Sequence, residues 1–177
     1  MVERTCNSRL GSHSQQEFEY YSCAWCYDFL FTTTKKKPLI ATDLVPYLID
    51  RVQKALIVPD INNSTNVRVI CSTLDNDECN RWKSCCYAAN ACCQKQLSTP
   101  LGDVNNTCGR TWDGWGCWDD TKPGELVYQS CPLYLTFSVP SRKFSFQTSR
   151  LIEKCLVVIK IHTRSVVERF GRCDTNC

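Results

Sequence analysis

Five cysteines between Cys79 and Cys93 constrain this chain more than any other feature. Cys79, Trp82, Cys86, Ala89 and Cys93 recur at three- and four-residue steps, with Cys85 and Cys92 on the adjoining edge, which predicts a helix carrying sulfur along one side. Asp75 followed by Glu78 is an Asp version of the capping box, so the helix should open near Asn76 and run to about Leu97. Apart from the adjacent pairs, these cysteines stand at least six residues apart, roughly 9 Å along an axis rising 1.5 Å per residue. Bridged Cα atoms lie within about 7 Å. Their partners must therefore lie off the helix.

The chain has 15 cysteines in 177 residues, far above cytosolic usage, and an oxidising compartment follows. Its length and its 43% hydrophobic content allow one modest domain with extensions. Asn-x-Ser/Thr sequons begin at Asn62, Asn63 and Asn105, each among turn-forming residues, as on a glycosylated surface. A net charge of +3 is too mild for a nucleic-acid partner, and the run Lys35–Lys37 reads as a solvated loop. Residues 1–19 are polar and give no leader pattern. The most apolar window, Pro38–Pro59, is broken by Asp43, Asp50, Arg51, Gln53 and Lys54, so no membrane span is expected.

Residues 1–37 show no clear period and predict loop around a small aromatic cluster. From Thr42 or Asp43, Leu44, Leu48, Val52 and Leu56 recur every four residues, beside Val45 and Ile49, predicting an amphipathic helix with Pro46 in its first turn. Asp60–Asn66 reads as a linker. It divides an N-terminal extension (1–66) from a cysteine-rich domain (67–177). Beyond Pro100 the signals are turns at 103–106, Asp113-Gly114 and Pro123-Gly124, with β structure favoured over Glu125–Gln129 and Tyr134–Val139. The fold class is α+β: a small disulfide-rich domain whose helix packs on two short antiparallel β-hairpins, preceded by an extra amphipathic helix.

The pattern Cys108, Trp112-Asp113, Trp115, Cys117-Trp118, Gly124, Cys131-Pro132, Tyr134 and Phe137 resembles the extracellular hormone-receptor domain of class B (secretin-family) G protein-coupled receptors. Its wording is nearest to the calcitonin, diuretic-hormone and pigment-dispersing-factor receptors. The resemblance implies bridges from Cys92 or Cys93 to Cys117, from Cys108 to Cys155 and from Cys131 to Cys173. The nine cysteines left over are odd in number, so at least one is unpaired or intermolecular. It implies a structural role for Asp113, Trp118 and Pro132, and a ligand-binding role for Trp115, Tyr128, Tyr134 and Phe137. The function implied is capture of an amphipathic helical peptide hormone, outside the plasma membrane or in secreted form. A transmembrane bundle and G protein would belong to a full-length receptor. The chain departs from the pattern after 144, where Cys155 is followed by the β-branched run Leu156–Ile161 with neither Gly nor Trp.

Other readings are weaker. A secreted phospholipase is suggested by Cys85-Cys86-Tyr87, but it would need a His base beside those cysteines, and the histidines are His13 and His162. One Cys23-Ala24-Trp25-Cys26 motif without a second pair is a poor zinc or redox site and reads as structural. No enzyme activity, metal or cofactor is expected. The main rival is a soluble cysteine-rich decoy or interaction protein that keeps the fold without signalling.

Overall fold

A computed structural model describes residues 4–30, 38–100, 107–122, 127, 129 and 132–135. In chain order these form β1 (Cys6–Ser8), β2 (Gly11–His13), α1 (Gln15–Leu30), β3 (Leu39–Ile40), β4 (Leu48–Asp50), β5 (Leu56–Ile57), α2 (Ser64–Cys71), α3 (Asn76–Ser98), β6 (Thr111–Trp112), β7 (Cys117–Trp118) and a 3₁₀ turn at Leu133–Leu135. The result is a small disulfide-rich α+β fold, as expected.

The sulfur-striped helix is α3. Asp75 accepts from the Glu78 backbone N–H at 2.8 Å and Glu78 accepts in return from the Asp75 N–H at 2.9 Å, closing the anticipated capping box. The helix ends at Ser98, where Thr99 turns extended before Pro100, a residue that disfavours helical geometry in its predecessor. All five cysteines of the stripe are buried, and every partner lies off the helix: Cys71–Cys79, Cys26–Cys85, Cys23–Cys86, Cys92–Cys117 and Cys6–Cys93. Of the two partners left open for Cys117, Cys92 is the one that bonds it. Cys108 is also disulfide-bonded; its expected pairing with Cys155, and that of Cys131 with Cys173, fall outside the described residues.

Three of those bridges come from residues 6–26, where the sequence reading expected loop. That expectation is corrected: the segment is a β-hairpin followed by the 16-residue helix α1. Ser14 and Glu17 make a capping box of their own, with the Glu17 carboxylate accepting from the Ser14 N–H at 3.2 Å and the Ser14 hydroxyl from the Glu17 N–H at 3.4 Å. Phe18, Ser22, Cys23, Cys26, Tyr27 and Leu30 form its buried face against α3. Trp82 is fully buried between the helices, and its indole N–H donates to the Cys23 carbonyl at 3.0 Å. The Tyr27 hydroxyl meets Thr73 Oγ1 at 2.9 Å, and burial raises the pKa of that phenol.

The helix predicted from Thr42 is also corrected, because this stretch forms the antiparallel sheet β3-β4-β5. Of Leu44, Leu48, Val52 and Leu56, only Leu48 is buried, while Leu44 and Val52 stand almost fully exposed. Asp50 explains the outcome. Its carboxylate accepts from the N–H groups of Val52 and Gln53 at 2.7 and 2.8 Å, a local bond that competes with helix and starts a reversal completed by Lys54 at φ 57°. The linker expected at 60–66 gives way at Ser64 to α2, capped by Asn63.

The second sheet runs β2-β1-β6-β7, with β1 parallel to β6 and the other pairs antiparallel. The N-terminal hairpin therefore extends the Trp112–Trp118 hairpin edgewise. Where the β structure expected over Tyr134–Val139 can be compared, at Tyr134 and Leu135, the chain lies in a 3₁₀ turn (Leu133–Leu135), closed by the Leu135 N–H donating to the Pro132 carbonyl at 3.0 Å.

Candidate functional site

Asp113 organises the β6–β7 turn. One carboxylate oxygen accepts from the N–H groups of Trp115 and Gly116, both at 2.8 Å, and the other from the Trp118 indole N–H at 2.7 Å. Asp113 and Trp118 are each 8% exposed. A carboxylate this buried is tolerable because each oxygen is met by a donor. Gly114 takes φ 100°, and a Cβ there would lie 2.8 Å from the ring of Phe29, so both backbone and space require glycine. At Gly116 a Cβ would come within 2.6 Å of Gln129 Oε1, the tip of an exposed side chain that can turn aside.

The turn holds Trp115 partly buried. Its carbonyl accepts from the Tyr134 hydroxyl at 2.6 Å, and burial, followed by the charge of Asp113, pushes the Tyr134 pKa well above its ordinary value. The Trp115 ring stacks on Phe29 of α1 at 5.4 Å, and Phe29 on Trp25 at 5.0 Å. Arg9 lies over both of the latter rings, 3.9 Å from the Trp25 centroid and 4.6 Å from that of Phe29. Partial burial lowers the Arg9 pKa, against the opposing pull of Asp43, Asp28 and Asp113. In the 3₁₀ turn that carries Tyr134, Leu133 is 85% exposed.

A second cluster joins the hairpin to the end of α3. Arg110, 6% exposed, donates to the carbonyls of Gln96, Thr99 and Pro100 at 3.1, 2.8 and 2.5 Å, and pairs with Asp120 through its side chain. Asp120 also accepts from the Arg110 backbone N–H at 2.7 Å. The guanidinium thus satisfies the Gln96 carbonyl in the last turn of α3 and two carbonyls just beyond the end of the helix. Nearby, Lys95 and Asp119 form an exposed ion pair.

Of the residues singled out from sequence, Asp113, Trp115, Trp118 and Tyr134 come together, with Cys92–Cys117 anchoring β7 to α3. Pro132 opens the 3₁₀ turn that carries Tyr134. Tyr128, Phe137, Cys131, Cys155, Cys173 and Asn105 lie outside the described residues. Sequence reasoning missed Arg9, Phe29, Arg110 and Asp120. The aromatic spacing Tyr21, Trp25, Phe29, at four-residue steps after a capping box, was the available signal for the α1 face. Among the described residues no cluster fit for a metal ion occurs.

Residues 105–151 match the hormone receptor domain. The resemblance to class B receptors is borne out by the relatives as well. The chain is similar to the human calcitonin receptor, 61% identical over 36 residues, and to the calcitonin gene-related peptide type 1 receptor of Xenopus tropicalis, 43% over 53 residues. These matches cover 20% and 29% of this chain, and 8% and 11% of the receptors. A longer match, 26% identical over 152 residues, relates it to the G-protein coupled receptor seb-2 of Caenorhabditis elegans, covering 72% of this chain and 32% of that protein. The chain therefore spans a third or less of the length of these relatives. No solved structure matches it. Among the described residues no helix is long and apolar enough to cross a membrane.

Proposed function

We propose that the chain is the extracellular hormone-binding part of a class B G protein-coupled receptor, and that it captures an amphipathic helical peptide. The observation that carries this reading is the Asp113 turn within the matched segment, which fixes Trp115 partly buried and tied through its carbonyl to Tyr134. Rigid aromatic side chains in that setting give large contact area at little entropic cost and make good hot spots. Trp115 would receive the apolar face of the peptide. Tyr134 would hold the shelf from beneath, while Tyr128 and Phe137 would complete the lining. In the whole receptor, capture would deliver the other end of the peptide to a membrane bundle coupled to a G protein. The names of the relatives support calcitonin and calcitonin gene-related peptide as first probes.

The test uses the full chain secreted from eukaryotic cells, immobilised, and titrated with each peptide. Saturable binding is expected, weakened tenfold or more by Trp115→Ala, roughly the 1.4 kcal/mol or more of a hot-spot truncation. Binding untouched by that substitution would remove Trp115 from the site, and failure to bind either peptide would favour an interaction protein over hormone capture.

A further inference from the structure

On the side of α3 bordered by α2, a groove of about 400 Å³ runs between the helices. Ile61 and Val67 give it an apolar floor, Tyr87 stands 56% exposed, and Arg68 and Lys83 supply cationic donors that form no ion pair among the described residues. Asn62 forms part of the same wall. Its side chain is exposed and makes no hydrogen bond among the described residues, its backbone N–H alone being held by Asp60 at 2.9 Å.

Two sequons overlap here, Asn62-Asn63-Ser64 and Asn63-Ser64-Thr65, and the structure treats them differently. Asn63 is the N-cap of α2, its side-chain oxygen accepting from the N–H groups of Thr65 and Asn66 at 3.0 and 3.2 Å. Those bonds span only two and three residues, so they form locally and, through Oδ1, hold the Asn63 side chain against the start of α2, where its Nδ2 cannot turn outward as freely as that of Asn62. Adjacent asparagines leave no room for two bulky substituents. Asn62 is the freer acceptor.

We propose that Asn62, rather than Asn63, carries an N-linked glycan, and that its first sugars lie in the α2–α3 groove. In the transfer, Asn62 Nδ2 forms a bond to C1 of the first N-acetylglucosamine of a lipid-pyrophosphate-linked oligosaccharide. The C1–O bond to the pyrophosphate breaks, the lipid pyrophosphate leaves with the electron pair, and the amide nitrogen loses one proton. The groove suits this occupant: sugars present C–H faces to an aromatic ring and hydroxyls to cationic donors, and Tyr87 lies beside Arg68 and Lys83. The bridges joining α3 to α1 and α2 place the chain in the oxidising route where such transfer occurs.

Two substitutions separate the sequons without touching either asparagine. Ser64→Ala destroys the sequon of Asn62 and keeps that of Asn63, and Thr65→Ala does the reverse. In protein secreted from eukaryotic cells, Thr65→Ala should keep the glycan of this region and Ser64→Ala should lose it, read by glycosidase release in heavy-oxygen water and peptide mapping. A glycan on Asn63 in the unaltered chain, or on neither residue, overturns the site. Seating is read from nitration of Tyr87, expected to rise about threefold or more after enzymatic removal of the glycan while the disulfide map stays unchanged. Equal reactivity before and after removal overturns the groove assignment. Neither readout involves peptide binding, so hormone capture and this proposal stand or fall separately.

Discussion

At the scale of single residues, Asp113 and Tyr134 carry the clearest consequences. Trp118→Phe keeps an aromatic ring, though a smaller one, and strips the donor from one oxygen of a carboxylate that is 8% exposed. Leaving a buried acceptor unsatisfied costs about 1–3 kcal/mol. Denaturant titration should therefore show a lowered midpoint at unchanged slope, and a variant as stable as the parent would mean that the indole bond is dispensable. Tyr134 makes a pH statement. Its folded pKa is raised above the ordinary value of 10.0, so the protonated phenol favours the folded state. That stability is fully present below about pH 10, the unfolded value, and is lost as the pH rises through the higher folded value. Tyr134→Phe should flatten the alkaline limb of a stability profile while lowering stability near neutrality by roughly 1 kcal/mol for the lost bond to the Trp115 carbonyl. An unchanged alkaline limb would assign that limb to other groups, Tyr27 first among them. Asp113 and Trp118 were legible in the sequence because their spacing is that of a known pattern. Arg9 and Phe29 were not, because they meet the turn from about a hundred residues away, and no local period records such a contact.

At the scale of elements, the difference between what could and could not be read comes down to end signals. Helix α3 was foreseen because a capping box and a sulfur stripe agree. Helix α1 has an equivalent box at Ser14 and Glu17, but its buried face includes Ser22 while Tyr20, Tyr21, Trp25 and Phe29 stand only partly buried around it, which blurs the apolar period. The β3–β5 region shows the converse error. A four-residue recurrence of Leu and Val satisfied the helical template, while the chain obeyed the local turn at Asp50 and left three of those four side chains exposed. The two boxes should also differ in consequence. Asp75→Ala and Ser14→Ala each remove one cap, worth about 1 kcal/mol. Helix α1 is held near its middle by the bridges from Cys23 and Cys26, leaving its first two turns the least restrained. Hydrogen exchange should show Ser14→Ala accelerating amides in 15–20 without spreading to α3, whereas Asp75→Ala should loosen 76–80 and, through Cys79, the end of α2. Uniform acceleration in both variants would mean that the helices open as one unit.

For the whole molecule, the central question is whether the matched segment stands alone. The sequence placed a boundary near residue 66, yet three bridges, Cys6–Cys93, Cys23–Cys86 and Cys26–Cys85, tie residues before it to α3. Each closes a loop of 59 residues or more, and in the chain-entropy model a loop of that length is worth roughly 4 kcal/mol, less whatever strain the native state carries. Removing residues 1–66 would also strip the α1 cover from Trp82, leave its indole N–H without the Cys23 carbonyl, and set free three buried thiols on one helix face. Folded domains are stable by only about 5–15 kcal/mol in total, so losing three such bridges is severe. The expected outcome is that a chain starting at residue 67 is secreted at least tenfold less than the full chain, and that what emerges is crosslinked through Cys85, Cys86 and Cys93. Replacing those three cysteines by serine in the shortened chain separates the two causes. If secretion stays low, the missing α1 packing is responsible; if it recovers to the level of the full chain, the free thiols alone were the fault and the segment from 67 onward folds independently.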